Sequence, residues 1–304
     1  MRTNWRGAWT ESLLFLAAAA SFLLGWSLTE PPPPTFGLEP PSEGALRVVT
    51  WNVGGSAEGG RPLGDELVAR VASTLSEIQA DLIALQEIRS EQQISQLVQR
   101  MGGDWQAFLA SGEGSRVGMM VRRGDLRARS WPGNSRFVLA SYRPPRHLLP
   151  KSADSPVPGD SGADGQGERR RGGFRNSILI AVLHADAFSA EKRNQSIGAA
   201  ADLLQRFPAP RLLLGDLNID PGLDKRQDLF SNDEHLDVES YNYLAERLQD
   251  AGQGGGSTAE PDRRLDYIFF SREHFELLEA GPLKGRRWGD MDHDPLIADL
   301  RPRR

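Results

Sequence analysis

The feature that most constrains the fold is an alternation of short apolar runs with segments of helical period, which begins at Leu46 and continues to the C-terminus. Residues 46–53 and 81–86 are apolar and predict buried strands, whereas the apolar residues of 63–78 and 94–101 fall at helical spacing. Further strands are predicted near 105–109, 117–121, 126–131, 137–142, 177–183, 211–214, 265–270, 275–279 and 296–300, and further helices at 191–207 and near 241–248. Since some strands are separated by helices and others by turns, the pattern predicts an α/β protein with mixed sheets.

Composition limits the chemistry available to this fold. The chain has 304 residues, of which 39% are hydrophobic and 25% charged, and these are values of a folded core. It has no cysteine, which excludes disulfides, thiolate metal sites and a cysteine nucleophile, so a metal ion can meet only oxygen and nitrogen ligands. The formal net charge of −5 means that any contact with nucleic acid must come from a local basic patch.

The N-terminus has the features of a targeting segment. Arg2 and Arg6 precede residues 12–28, which carry no charge and whose length lies between a signal-peptide core and a membrane span. We expect residues 1–28 to be an uncleaved hydrophobic anchor helix rather than a cleaved signal peptide, with the rest of the chain outside the cytoplasm, membrane-anchored or, if cleaved, secreted. The Pro-rich residues 29–45 predict a stiff linker, and residues 46–304 predict the globular domain.

One internal stretch interrupts the order of strands and helices. Residues 144–173 are rich in Pro, Gly, Ser and Asp, have almost no apolar period, and contain three consecutive arginines near their end. This composition predicts a long surface loop that is disordered.

Polar side chains recur near the ends of the predicted strands, where α/β sheets place their sites. The segments concerned are Trp51-Asn52, Gln86-Glu87, Leu183-His184, Gly215-Asp216-Leu217-Asn218, Arg264-Leu265-Asp266-Tyr267 and Asp292-His293-Asp294-Pro295. Carboxylates suit a hard cation such as Mg²⁺ or Mn²⁺, and histidines beside carboxylates suit proton transfer near neutral pH. Each segment alone also fits a solvated turn or a core histidine, so it is their order and spacing together that indicate a site.

Taken in order, these six segments resemble the endonuclease/exonuclease/phosphatase family over about residues 46–300. The resemblance implies an α/β (α+β) four-layer sandwich of two packed mixed β-sheets flanked by helices. It also implies a hydrolase that cleaves phosphodiesters or phosphomonoesters with Mg²⁺, or alternatively Mn²⁺. We expect the protein to be a monomer.

The resemblance implies roles for eight residues. On the metal side, Glu87 resembles the principal Mg²⁺ ligand, Asn52 lies close to metal and phosphate, and Asp292 resembles a further metal-side carboxylate. The five residues on the catalytic side are His184, Asp216, Asn218, Asp266 and His293.

Each catalytic residue has an expected task. His293 resembles the general base that activates water, and Asp266 resembles the carboxylate that orients its ring. His184 resembles a second histidine that donates a hydrogen bond or a proton to the phosphate, and Asp216 and Asn218 resemble the pair that positions water and a phosphoryl oxygen. Met291 and Leu183 replace the Ser and Thr common in the family, but neither position supplies an essential group.

Three hypotheses about function follow. We expect a nuclease, most readily an endonuclease acting on DNA, with a basic rim on the cleft contributed by Arg116, Arg122, Arg123, Arg143 and residues 169–171. The alternative enzyme is a phosphodiesterase or phosphatase of phospholipids or inositol phosphates, similar to the sphingomyelinases, which would show exposed apolar loops. A scaffold without catalysis is disfavoured because every acidic and imidazole position expected at the site is filled.

Overall fold

The computed structural model describes residues 36–54, 63–148, 177–222 and 234–303. The predicted anchor, residues 29–35 of the predicted linker and residues 149–173 of the predicted loop lie outside these ranges. Within them no helix is both long and apolar enough to cross a membrane. The described residues all belong to one compact unit, 35–304.

Within the described ranges, twelve strands form two sheets of six. The strands of the first sheet are β1 (Leu46–Asn52), β2 (Leu82–Ile88), β3 (Trp105–Leu109), β4 (Arg116–Arg122), β11 (Phe275–Pro282) and β12 (Leu296–Pro302). They lie in the order β11-β12-β1-β2-β4-β3. Because β1 runs parallel to β2 and antiparallel to β12, the sheet is mixed.

The second sheet is built from the strands between these two groups. They are β5 (Asp125–Trp131), β6 (Asn134–Arg143), β7 (Ile178–Leu183), β8 (Arg211–Asp216), β9 (Gln249–Asp250) and β10 (Asp266–Phe270). They lie in the order β5-β6-β7-β8-β10-β9. This sheet is also mixed, since β7 and β8 are parallel whereas the other pairs are antiparallel.

Four α-helices and a short 3₁₀ turn complete the described chain. The helices are α1 (Asp65–Ile78), α2 (Glu91–Met101), α3 (Ala190–Gln205) and α4 (Glu234–Ala245), and the turn is Arg146–Leu148. A capping box at Ser90 and Gln93 starts α2 directly after β2.

Three layers of apolar side chains hold the structure together. The central layer joins the facing sides of both sheets, and it includes Val48 of β1, Ala84 of β2 and Ile180 of β7. A second layer lies between the first sheet and helices α1 and α2, and a third lies between the second sheet and helices α3 and α4. The chain is therefore the predicted four-layer sandwich of helix, sheet, sheet and helix.

One helix boundary differs from the sequence interpretation. The helix predicted near 241–248 is α4, which begins and ends earlier, at Glu234 and Ala245, and Gln249 already pairs with Phe270 of β10. Asp266 lies at the start of β10, as the strand predicted at 265–270 implies. It reaches the edge where β8 ends, because β10 is antiparallel to β8 and places Asp266 opposite Asp216.

The packed part of the chain begins before β1. Phe36, within the stretch predicted as linker, is buried, and its backbone N–H donates to the carbonyl of Pro282. The guanidinium of Arg47 lies 4.9 Å from its ring centroid. The buried ring of Phe36 and its backbone hydrogen bond thus attach this part of the chain to the first sheet.

Candidate active site

The best-defined contact of the site joins His293 to Asp266. The Nδ1 atom of His293 lies 2.7 Å from Oδ2 of Asp266, and both side chains are buried. Thr258 holds the start of β10, where Asp266 lies, because its Oγ1 accepts hydrogen bonds from the backbone N–H groups of Leu265 and Asp266. The indole N–H of Trp51, on β1 of the first sheet, donates to the carbonyl of His293 at 3.0 Å and so holds the backbone of this residue.

His293 carries a strongly perturbed pKa. Burial opposes its protonation, but the charges of Asp266 and Asp216, with a smaller contribution from Asp292, outweigh burial and raise its pKa to about 10. Without a cation beside these carboxylates, the ring is therefore protonated at neutral pH. A cation that offsets the charge of Asp216 and Asp292 lowers this pKa towards the range in which a histidine accepts a proton.

Asp216 lies at the centre of the site. Its Oδ2 accepts a hydrogen bond from Nδ2 of Asn52 at 3.0 Å, and it lies 3.6 Å from Nε2 of His184 and 3.8 Å from Nε2 of His293. Its Oδ1 accepts from the backbone N–H of Asn218. Burial and then the neighbouring carboxylate of Asp266 raise the pKa of Asp216, although both histidines and Asn52 oppose the shift.

His184 differs from His293 in having no carboxylate behind it. Its Nδ1 is buried and has no hydrogen-bond partner in the part of the chain that the structure describes. Burial, aided by the nearby charges of Arg136 and His293, lowers the pKa of His184 to about 4 against the attraction of Asp216. The ring is thus neutral at physiological pH, and its Nε2, which faces Asp216, is placed to donate a hydrogen bond.

Asn218 completes this side of the site. Its backbone adopts a left-handed conformation, with φ of 52°, and its Nδ2 donates to the carbonyl of Ala185 at 3.3 Å. Asparagine tolerates this conformation better than most residues. The loop after β8 is therefore tied to the loop that follows His184.

Glu87 and Asp292 supply the accessible carboxylates. Glu87 is half-buried at the end of β2, with a left-handed φ of 64°, and its Oε1 lies 3.4 Å from Nδ2 of Asn52 and 4.0 Å from Nε2 of His184. Gly54 leaves room for it, since a Cβ at that position would lie 2.1 Å from Oε2 of Glu87. Half-buried Asp292 places its Oδ1 3.8 Å from Nε2 of His293.

The donors fit a hydrated divalent cation. Burial raises the pKa of Asp292, and so do the charges of Glu87 and Asp216, which shows that several carboxylates share one region. Within the described ranges no group of three His, Asp or Glu side chains is arranged to hold a metal ion alone. Mg²⁺ usually binds through one or two carboxylates and completes its shell with waters and substrate phosphate, so Glu87 and Asp292, with Asn52 nearby, suit such a site.

The structure brings all eight predicted site residues to one edge of the two sheets, but it does not do the same for the predicted basic rim. Arg116 is buried and bonds to Glu91 and to the carbonyl of Arg89. Arg122 ends β4 at the edge away from the site, where it pairs with Asp81, and Arg123 follows it. Arg143 ends β6 at the edge opposite His184, because β6 and β7 are antiparallel, and residues 169–171 lie outside the described ranges.

Other cations approach the site instead. The backbone carbonyl of Arg136 accepts a hydrogen bond from the N–H of His184 at 2.9 Å, and the charge of Arg136 acts on the His184 ring. Arg89 places a guanidinium nitrogen 3.5 Å from Oε2 of Glu87. Neither arginine belongs to a recognisable motif, and only the pairing of β6 with β7 reveals the position of Arg136.

A comparison with protein families decides the assignment. The model of the "Endonuclease/Exonuclease/phosphatase family" matches residues 49–286, a span that contains six of the eight predicted site residues. The chain belongs to this family. Members of the endonuclease/exonuclease/phosphatase family are hydrolases that act on phosphoester bonds, and they generally use divalent metal ions such as Mg²⁺.

Solved structures share the fold at low sequence identity. The 3′ phosphatase NExo from Neisseria, bound to a product DNA hairpin, is 16% identical with a TM-score of 0.56, over 84% of this chain and 98% of that one. The catalytic domain of human nocturnin is 17% identical with a TM-score of 0.53, over 87% and 97% of the two chains. A mannosyl-6-phosphatase from Bacteroides thetaiotaomicron is 14% identical with a TM-score of 0.54, over 84% and 99%. No curated protein sequence matches this chain.

Proposed function

We propose that the protein is a Mg²⁺-dependent phosphodiesterase that cleaves DNA internally. The observation that carries the chemistry is the His293–Asp266 pair, held 2.7 Å apart beside the oxygen-rich group of Glu87, Asp216 and Asp292. A histidine backed by a buried carboxylate is a general base with a fixed tautomer. The adjoining carboxylates supply a place for the cation that a phosphoryl-transfer reaction requires.

In the proposed reaction Nε2 of His293 takes a proton from a water, and the resulting hydroxide oxygen attacks phosphorus in line with the leaving oxygen. The bond from phosphorus to the leaving oxygen breaks, and that oxygen is protonated from solvent. Asp266 stabilises the imidazolium of His293, while neutral His184 and Asn218 donate hydrogen bonds to the phosphoryl oxygens. A divalent cation held by Glu87 and Asp292 supplies neutralisation of the charge that develops on the phosphate.

DNA is the proposed substrate because two arginines, Arg136 and Arg89, approach the site in a chain of net negative charge. Arg136 is close enough to His184 to lower its pKa, and the two strands that lead to it carry further exposed arginines. The structural neighbour from Neisseria was solved with a DNA hairpin, which adds support at the level of the fold.

One observation favours a second candidate, a lipid phosphodiesterase. Of the three exposed large hydrophobic side chains among the described residues, Trp131 ends β5 at the catalytic edge and Phe188 lies in the loop after His184. Side chains of this kind can contact a bilayer. With a predicted anchor at residues 12–28, such an enzyme would meet its substrate at the membrane surface.

A substrate panel separates these candidates. We expect the protein with Mg²⁺ to nick and linearise closed-circular plasmid DNA and to leave sphingomyelin, phosphatidylinositol and inositol phosphates intact. Cleavage of a circular plasmid also identifies an endonuclease, because a circle has no end for an exonuclease. Hydrolysis of a lipid headgroup without plasmid cleavage would replace the proposal by the second candidate.

We also propose that residues 12–28 anchor the protein and that the catalytic domain lies outside the cytoplasm. The absence of charge in this segment and the arginines before it support this arrangement. The full-length protein should sediment with membranes and resist extraction by alkali, and external protease should reach its catalytic domain in intact spheroplasts. A soluble chain that begins near Leu28 would show a cleaved signal peptide instead.

A further inference from the structure

The edge strand β5 carries an exposed row of basic and aromatic side chains. Exposure alternates along Asp125–Trp131, so that Arg127, Arg129 and Trp131 point away from the central core and Leu126 and Ala128 pack against it. Alternate residues of a strand lie on one face at intervals of about 6.7 Å. The row therefore forms a continuous line along the outside of the second sheet.

The neighbouring strand adds a groove to this row. Arg143 of β6 lies across from Asp125, and an open groove of about 440 Å³ is lined by Arg127, Arg129 and Arg143, with Leu139 and Phe207 among its apolar residues. The groove thus combines three guanidinium groups with apolar surface, which is the combination that binds a phosphate backbone and its bases.

The positive charge of the groove is poorly compensated. Arg129 and Arg143 have no ion-pair partner within the described ranges, and Arg127 only contacts Asp125, at 3.5 Å and with both side chains exposed. Exposed pairs of this kind contribute little. In a chain of net charge −5, this face is a local basic patch.

The row has a defined direction relative to the catalytic site. The hairpin turn after Trp131 lies at the catalytic edge, because the start of β6 pairs with the end of β7, where Phe137 is opposite Leu183. From Trp131 the row runs back to Asp125 over about 20 Å. A strand whose reacting phosphate lies beside His184 could therefore continue past Trp131 and along the arginines.

We infer that Arg127, Arg129, Trp131 and Arg143 form a binding surface, the β5–β6 face, for the part of a nucleic-acid strand that extends beyond the catalytic site. This inference rests on the proposed function. Arginine binds phosphate through a planar fork of donors, and an exposed indole stacks on a base of any sequence. Membrane insertion needs a contiguous exposed apolar surface, and among the described residues of this face only Trp131 is large, apolar and exposed.

The test compares strands of two lengths in a background with His293→Asn, which prevents cleavage. Fluorescence anisotropy measures the Kd of the full-length chain for a fluorescein-labelled single strand of five nucleotides and for one of thirty. In the combined variant Arg127→Gln, Arg129→Gln and Arg143→Gln, the Kd for the long strand should rise at least tenfold and that for the short strand less than twofold. The slope of log Kd against log salt for the long strand should fall by about 2, since each released phosphate contact contributes ~0.7.

The matched control removes the same charge elsewhere. Arg100→Gln, Arg272→Gln and Arg301→Gln, all exposed and remote from this face, should leave both Kd values unchanged. With native His293, the β5–β6 variant should hydrolyse bis(4-nitrophenyl) phosphate at the wild-type rate, because this small diester cannot reach the face. The separate substitution Trp131→Ala should raise the Kd for the long strand and leave the Kd for the short strand unchanged.

Several results would overturn the inference. They are an equal rise in Kd in the control variant, a rise in Kd that is independent of strand length, and no binding of either strand. Weaker binding of the β5–β6 variant to phosphatidylglycerol vesicles, with an unchanged Kd for the long strand, would also overturn it. Failure of the proposed function looks different. A wild-type protein that binds the long strand through this face but leaves DNA uncut would contradict the proposed cleavage and keep the binding surface.

Discussion

Asp216 and Asp266 lie directly opposite each other on the antiparallel strands β8 and β10, and both are buried. Like charges in directly opposed positions destabilise a sheet, so this pair requires compensation. His293 provides part of it, since its Nδ1 contacts Asp266 at 2.7 Å and its Nε2 lies 3.8 Å from Asp216. The imidazole is thus held between two carboxylates, which is why its charge state is the central variable of the site.

This arrangement predicts a pH-dependent stability in the cation-free protein. The folded pKa of His293, about 10, exceeds the ordinary value of 6.5, so its contribution to stability is complete below pH 6.5 and is lost as the pH rises towards 10. In EDTA, the Tm of the wild-type protein should fall more steeply between pH 7 and 10 than the Tm of His293→Gln. Parallel Tm curves for the two proteins would show that the histidine is not protonated in the folded state.

Glu87 should be essential for the use of a cation. Changes to groups that merely support a metal ligand cost roughly 10–100-fold, so Glu87→Gln should lower kcat/KM at limiting Mg²⁺ by more than roughly 100-fold while its Tm stays near wild type. The control is Glu91→Gln, the same substitution on an exposed residue that contacts Arg116. EDTA should stop the wild-type reaction, and Mg²⁺ or Mn²⁺ should restore it. Full activity of Glu87→Gln would contradict the assignment of Glu87 as a ligand of the cation.

His184 should act through a hydrogen bond and not through proton transfer. Because burial lowers its pKa to about 4, the ring carries no proton that it can release to a leaving oxygen at neutral pH. His184→Ala should therefore lose a similar factor in kcat/KM on a DNA dinucleotide and on a nitrophenyl diester, whose leaving group needs no proton. A much smaller loss on the activated ester would instead assign His184 as the general acid.

Gly215 should be required for the close approach of β8 to β7. Its φ is +146°, and a Cβ there would lie 1.8 Å from the carbonyl oxygen of Leu183, so Gly215→Ala should lower the free energy of unfolding by at least about 2 kcal/mol. Gly198→Ala is the control, because Gly198 lies within α3 with open space around its Cα, and alanine there should stabilise by up to about 1 kcal/mol. Urea unfolding measures both, and equal stabilities would contradict the account of this strand pair.

Apolar period predicted the strands and helices, because it is a local signal, and the resemblance of six short segments implied the four layers and eight site residues that the structure brings to one edge of the two sheets. The interactions that position these residues are not local. Thr258, which holds the strand of Asp266, lies in a Gly-rich stretch without a motif, and Arg136 approaches His184 only because β6 pairs with β7. Arg116 has an exposed-looking sequence context but is buried, since β4 lies inside the first sheet.

The alternation of Arg127, Arg129 and Trp131 is visible in the sequence as a period of two. Whether these side chains form an exposed surface depends on the position of β5 at the edge of the second sheet. The order of strands in a sheet cannot be obtained from one strand's own residues. The surface row therefore required the fold, whereas the candidate site residues were proposed from short motifs alone.

The central claim is that His293, backed by Asp266, activates water for cleavage of DNA. The most direct measurement is the rate at which closed-circular plasmid is nicked in Mg²⁺ by wild-type protein and by His293→Asn, with His235→Asn, an exposed histidine, as the control. We predict nicking by the wild type and the control, and a loss of roughly 10²–10⁴-fold in His293→Asn. Plasmid left intact by the wild type, or nicked equally well by His293→Asn, would contradict the account.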